Sequence, residues 1–139
     1  MATTTAQLIL TSTDLLSDSL SLSAIATLTQ TGTNTGITET TGLTRKKVTS
    51  TAKGTTSGQI TLYTADDFAA IPYLYVKNLD TTPGNKIFIY DGTTSGSPLQ
   101  FQLDANDWAF IPMHGDKTYK AYATTNPTSI EFMVLGKDQ

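Results

Sequence analysis

Apolar residues recur at every second position through most of this chain, and no segment sustains the three-to-four-residue spacing of a helix, a pattern that restricts the chain to an all-β fold. From Leu20 the even positions Leu20, Leu22, Ala24, Ala26 and Leu28 are apolar, with Ser19, Ser21, Ser23, Thr27 and Thr29 between them; Ile25 alone breaks the alternation. Leu99, Phe101 and Leu103 alternate with Gln100, Gln102 and Asp104, and Leu74 with Val76, Ile87 with Ile89, and Ile130 with Phe132 and Val134 repeat the period. The positions of this second set, from Leu74 to Val134, are the predicted core. Strands are predicted at Ile60–Tyr63, Tyr73–Leu79, Lys86–Tyr90, Leu99–Leu103, Trp108–Met113, Thr118–Ala123 and Ile130–Leu135, separated by Asp-Gly, Pro-Gly, Asn-Asp and Asn-Pro turn signals. Seven strands at this spacing predict a single β-sandwich or jelly-roll-like domain.

The texture changes along the chain. About one residue in five is Thr, and most of these precede residue 65. Residues 1–58 are therefore expected to form a polar Thr/Ser-rich N-terminal arm and strands, and residues 59–139 the main sandwich region of the same domain. Ser12–Asp18 has too few apolar positions for a stable helix and reads as a corner joining Leu8–Leu10 to the Leu20 strand. Thr31–Gly36, Thr41-Gly42 and Gly54–Gly58 are turn and loop material around a short strand at Thr44–Thr51. So little apolar surface predicts an arm ordered by a neighbouring subunit. Asp66–Ala70 is expected to make one helical turn, closed by Pro72, which disfavours a helical Ile71.

Chemistry-bearing side chains are scarce. With no Cys, the chain has neither a disulfide framework nor a thiolate metal site. Leu8-Ile9-Leu10 is too short for a signal-peptide core or a membrane span, so a soluble protein made in a cytoplasm is expected, with no membrane partner. A net charge of −3 provides no broad basic field for a phosphate backbone, and no nucleic-acid partner is expected. The lone His114 has no visible partner for zinc or for a Ser–His–Asp arrangement and reads as a turn residue. Asp104-Ala105-Asn106-Asp107 opens like a calcium loop but lacks Gly at the sixth position, Ala109, and Glu at the twelfth, Gly115. It reads as a hairpin turn in which Asn106 takes positive φ. The acids include no evident pair on an apolar cleft, so neither an enzyme nor a cofactor is expected.

Two groups remain as contact residues. Arg45-Lys46-Lys47, the only cationic cluster, reads as a solvated loop, with an acidic protein surface as its next assignment. Alternation places several tyrosines, notably Tyr73, Tyr75 and Tyr90, opposite the aliphatic face, where such side chains suit a subunit interface or, less often, stack on sugar rings.

The leader Ala6–Ser23, the strands Tyr73–Asp80 and Lys86–Tyr90, the run Phe101–Pro112, Tyr119–Ala123 and the closing Ile130–Val134 together resemble the small structural proteins of tailed-bacteriophage virions. The likeness is one of texture and strand order over the whole chain, without a diagnostic motif. It implies a β-sandwich or jelly roll, often homotrimeric, that decorates or cements a capsid. The expected partners are the major capsid protein or other virion structural proteins, and the expected location is the virion, after synthesis in the host bacterial cytoplasm. On this reading Leu8 and Leu10 of the leader and Arg45, Lys46 and Lys47 face the shell, while Tyr73, Tyr75 and Tyr90 lie between protomers. The alternative is a tail- or fibre-associated structural or carbohydrate-binding protein, for which an exposed aromatic platform with convergent polar groups is expected.

Overall fold

Each predicted strand from Ile60 onward forms, because the period-two pattern gives it one apolar face to bury. A computed structural model describes residues 3–12, 20–29, 39–54, 57–68, 72–92, 94–125 and 127–136. Its strands are β1 (Thr3–Ser12), β2 (Leu20–Thr29), β3 (Glu39–Thr40), β4 (Thr44–Val48), β5 (Ile60–Tyr63), β6 (Tyr73–Asn78), β7 (Ile87–Asp91), β8 (Leu99–Leu103), β9 (Trp108–Pro112), β10 (Tyr119–Ala123) and β11 (Thr128–Gly136). One sheet runs β5-β10-β7-β8; the other runs β11-β6-β9, with β3 and β4 both pairing along the outer edge of β11. All pairings are antiparallel. Counting β3 and β4 as one interrupted strand, the sheets read 1-8-3-6 and 2-7-4-5 in chain order, the arrangement of an eight-stranded jelly roll.

The inward positions make the core. Val48, Ile60, Leu62, Leu74, Val76, Ile87, Ile89, Leu103, Ala121, Ala123, Ile130, Phe132 and Val134 are buried between the two sheets. Two predicted core positions differ. Leu99 is 48% exposed and Phe101 only half-buried, because both lie on β8, the last strand of its sheet, with no neighbour to cover its far side. The polar Asn78, also fully buried, ends β6 and is held by hydrogen bonds on both sides of its amide.

Turn chemistry follows the sequence at Asn106, whose φ is +65°. At Asp66 it does not: φ is +64°, so the backbone there is left-handed rather than the start of a helical turn, and its N–H donates to the Gly115 carbonyl at 2.8 Å. Residues 69–71 of that predicted turn lie outside the described residues.

The expected boundary after residue 58 also shifts. β3 and β4 belong to the sandwich, so its sheets begin at Glu39. β4 escaped a composition-based division because Arg45, Lys46 and Lys47 are all exposed on this edge strand, and Val48 supplies its core contact. What stands apart is the hairpin β1–β2, ten residues per strand, registered from Thr3 opposite Thr29 to Ser12 opposite Leu20 and part of neither sandwich sheet. Of the predicted corner Ser12–Asp18, Ser12 ends β1 and residues 13–18 lie outside the described residues.

Candidate functional site

The outer face of the β4-β11-β6-β9 sheet is apolar where a solvated face would be polar. Pairing places Tyr75 opposite Phe110 on β9 and Met133 on β11, Tyr73 opposite Leu135, and Lys77 opposite Trp108. Tyr73 and Phe110 stack with ring centroids 5.6 Å apart and planes 11° from parallel. Trp108, at the end of this stripe, is 56% exposed.

A polar cluster borders it. Glu131 accepts from Arg45 Nε at 2.6 Å through one carboxylate oxygen and from the Tyr75 hydroxyl at 3.1 Å through the other. The pairing of β4 with β11 places Arg45 directly opposite Glu131, and β6 places Lys77 on its other side. The Arg45 hydrogen bond holds the Glu131 carboxyl below the ordinary carboxylate range, against the desolvation that would raise it. Burial, then the bond to Glu131, raises the Tyr75 phenol. A carboxyl depressed in the folded chain binds fewer protons than its unfolded counterpart, so its contribution is present above the ordinary carboxylate pKa and is lost as pH falls through the folded value. Thermal melts of wild type and Glu131→Gln from about pH 7 down to about pH 3 should therefore converge on acidification. A constant gap across that range would remove Glu131 from the acid response.

The arm reaches this face. Thr5, Ala6 and Gln7 of β1 share an open cleft of about 280 Å³ with Tyr75, Trp108, Phe110, Met133 and Leu135. A second, of about 320 Å³, lies among Ala6, Gln7, Leu8, Ala24, Ile25, Trp108 and Phe110. Leu8, Leu10 and Leu22, which the register places on one side of the hairpin, are 43%, 46% and 44% exposed.

The predicted contact residues divide accordingly. Tyr73, Tyr75, Arg45 and Leu8 meet at this face and its arm, and Leu10 lies further along the arm. Arg45, Lys46 and Lys47 lie in the short strand expected at Thr44–Thr51, here β4, and not in the solvated loop also read for the cluster, since β11 supplies the backbone partners. Lys47 shares the outward side with Arg45, while Lys46 sits opposite Ile130 on the inward side yet remains exposed at the sheet edge.

Tyr90 is elsewhere and buried. It faces outward from the other sheet, edge-on to Tyr122 at 5.9 Å, and is 0% exposed. Gly54 and Gln59 lie against it: the hydroxyl donates to Gln59 Oε1 at 2.5 Å and also meets the Gly54 backbone. Tyr90 thus has no surface to offer a second protomer.

Sequence reasoning passed over Trp108, Phe110, Met133 and Leu135. Their signal was available in Trp108-Ala-Phe-Ile-Pro112 and Phe132-Met-Val-Leu135, where both parities are apolar and hence both faces of the strand need covering. His114 is an exposed turn residue whose Nδ1 lies 2.5 Å from Asp116 Oδ1. Among the described residues no group of three or more His, Asp or Glu side chains is placed to hold a metal, and no helix is long and apolar enough to cross a membrane.

No family model and no curated protein matches the chain. A solved structure from work described as "Bacillus endospore appendages form a novel family of disulfide-linked pili" aligns with 80% of this chain and 98% of its own, at 13% identity and a TM-score of 0.39. A likeness that distant speaks to neither fold nor function.

Proposed function

We propose that the protein is a structural component of a tailed-bacteriophage virion, a capsid decoration or cement protein that acts as a homo-oligomer, a trimer, on the shell. The observation that carries a contact function is the pairing of an aromatic outer sheet face with a two-stranded arm whose leucines stay exposed. An isolated two-stranded ribbon is marginal in water, so such an arm gains its stability from what it docks against. The virion assignment itself rests on the resemblance in texture and strand order. On that reading Lys46 and Lys47 face an acidic shell surface, and contacts repeated around a symmetric particle act together because a bound oligomer must release several sites at once.

Particles assembled without the protein should form intact heads that fail sooner on heating or at low salt. Heads of unchanged resilience would overturn the cement role, and loss of tails or of host adsorption would assign the protein to the tail. Trp108 favours one second reading, since an exposed indole on the same sheet face as Tyr75 and Phe110 is the kind of platform on which a sugar ring stacks. A glycan array separates the two, binding that is lost in Trp108→Ala supporting the receptor-binding reading.

A further inference from the structure

We propose that the β1–β2 arm is exchanged between copies of this chain, docking on the Tyr75–Trp108–Phe110 face of a second protomer. The complementarity is already on the molecule: Thr5, Ala6 and Gln7 stand against Tyr75, Trp108 and Phe110, so the face is one that this arm meets. Within one chain the fit is incomplete. Clefts of about 280 and 320 Å³ separate arm and face, and Leu8, Leu10, Leu22 and Ile25 remain exposed, whereas a settled interface packs to interior density. An element that meets its seat loosely in its own chain can make the same contact in a neighbour's, where symmetry repeats the contact once for each arm.

The areas favour a second copy as the occupant. A ribbon of two ten-residue strands is about 33 Å long and roughly 10 Å wide, so each face covers about 330 Å². Reciprocal exchange of two arms then buries about 1,300 Å² in all, within the range of stable protein interfaces. The chain between Thr29 and Glu39 can span at most about 30–35 Å, enough to carry an arm onto an adjoining protomer. Charge does not oppose it, since the arm residues at the clefts are neutral.

The exchange rests on the self-association invoked in the proposed function but makes its unit a reciprocal pair rather than a trimer, and it is tested on purified full-length protein without particles, so either can fail alone. Because the chain has no Cys, a disulfide reports one contact unambiguously. Gln7→Cys protein and mass-tagged Trp108→Cys protein, mixed, unfolded and refolded together under mild oxidation, should give a mixed disulfide dimer of twice the 14.9 kDa chain mass. The Gln7→Cys/Trp108→Cys double variant should give covalent oligomers. Closure within single chains in the double variant, with no mixed dimer from the single variants, would overturn the exchange. So would a main product in which two Gln7→Cys chains are joined to each other. In a second measurement, Ile9→Asp/Ile25→Asp, which the register places on the same side of the ribbon as Gln7, should run at monomer mass by light scattering while keeping the β circular dichroism of the sandwich. An oligomer of unchanged mass in that variant would equally count against the proposal.

Discussion

Replacing Asn78 with alanine should destabilise the sandwich by about 2–4 kcal/mol, since a buried carbonyl left without a donor costs roughly 1–3 kcal/mol and two part-buried ones lose theirs as well. Asn78 is fully buried at the end of β6, and its Nδ2 group donates to the Asn85 carbonyl at 2.9 Å, to Asp104 at 3.0 Å and to Leu103 at 3.3 Å. Two hydrogens serve three acceptors, so one bond is shared. Its Oδ1 accepts the Asp80 N–H at 3.0 Å, and its own backbone N–H donates to Asp107 at 2.9 Å. One side chain thereby ties the last residue of a strand in one sheet to the turn after it and to the end of β8 in the other sheet. The substitution Asn78→Asp keeps the shape but turns the donor toward the carbonyls into an acceptor, and at neutral pH it should be no more stable than Asn78→Ala. Denaturant melts check both, and wild-type stability in Asn78→Asp would show that shape, not donation, holds the junction.

Tyr90→Ala should cost a comparable amount, about 3–5 kcal/mol, as expected for removing a large aromatic ring from a filled site. The ring meets Gly54 and Gln59 and packs on Tyr122, so its loss leaves a cavity beneath them and takes the donor from Gln59 Oε1, while Gln59 Nε2 keeps its bond to the Ala52 carbonyl. Tyr90→Phe keeps the ring and loses the hydroxyl bond, and it should cost about 1 kcal/mol. Neither variant should alter the oligomeric mass at temperatures where it remains folded. A Tyr90→Ala protein of undiminished stability whose assembly is lost would return this residue to an interface.

The glycine that lies against Tyr90 is itself constrained. A Cβ on Gly54, where φ is +76°, would run into the backbone of Thr94 and Ser95, so the side-chain-free residue is required for the two loops to approach. Neither loop's role was legible from its own composition, because the contact joins segments far apart in the chain.

Local sequence determined the strands and their inward faces. Alternation is a property of the extended backbone itself, so Leu74 and Val76, Ile87 and Ile89, and Ile130, Phe132 and Val134 could be assigned to the core without knowing which strands pair. Asn106 was legible for the same reason, as its positive φ is a choice made within one turn. Tertiary structure alone decided what lies over the outward faces and which strands stand at the edges. Tyr73, Tyr75 and Tyr90 carry the same outward signal, yet Tyr90 is covered by a loop, while Tyr73 and Tyr75 join an aromatic stripe that the arm approaches. Leu99 and Phe101 keep a core-like pattern on a strand that no neighbour completes, and the short strand expected at Thr44–Thr51 stands at a sheet edge because β11 pairs with it on one side only. A residue's own period states which way it points, but whether anything meets it there depends on segments far away in the chain.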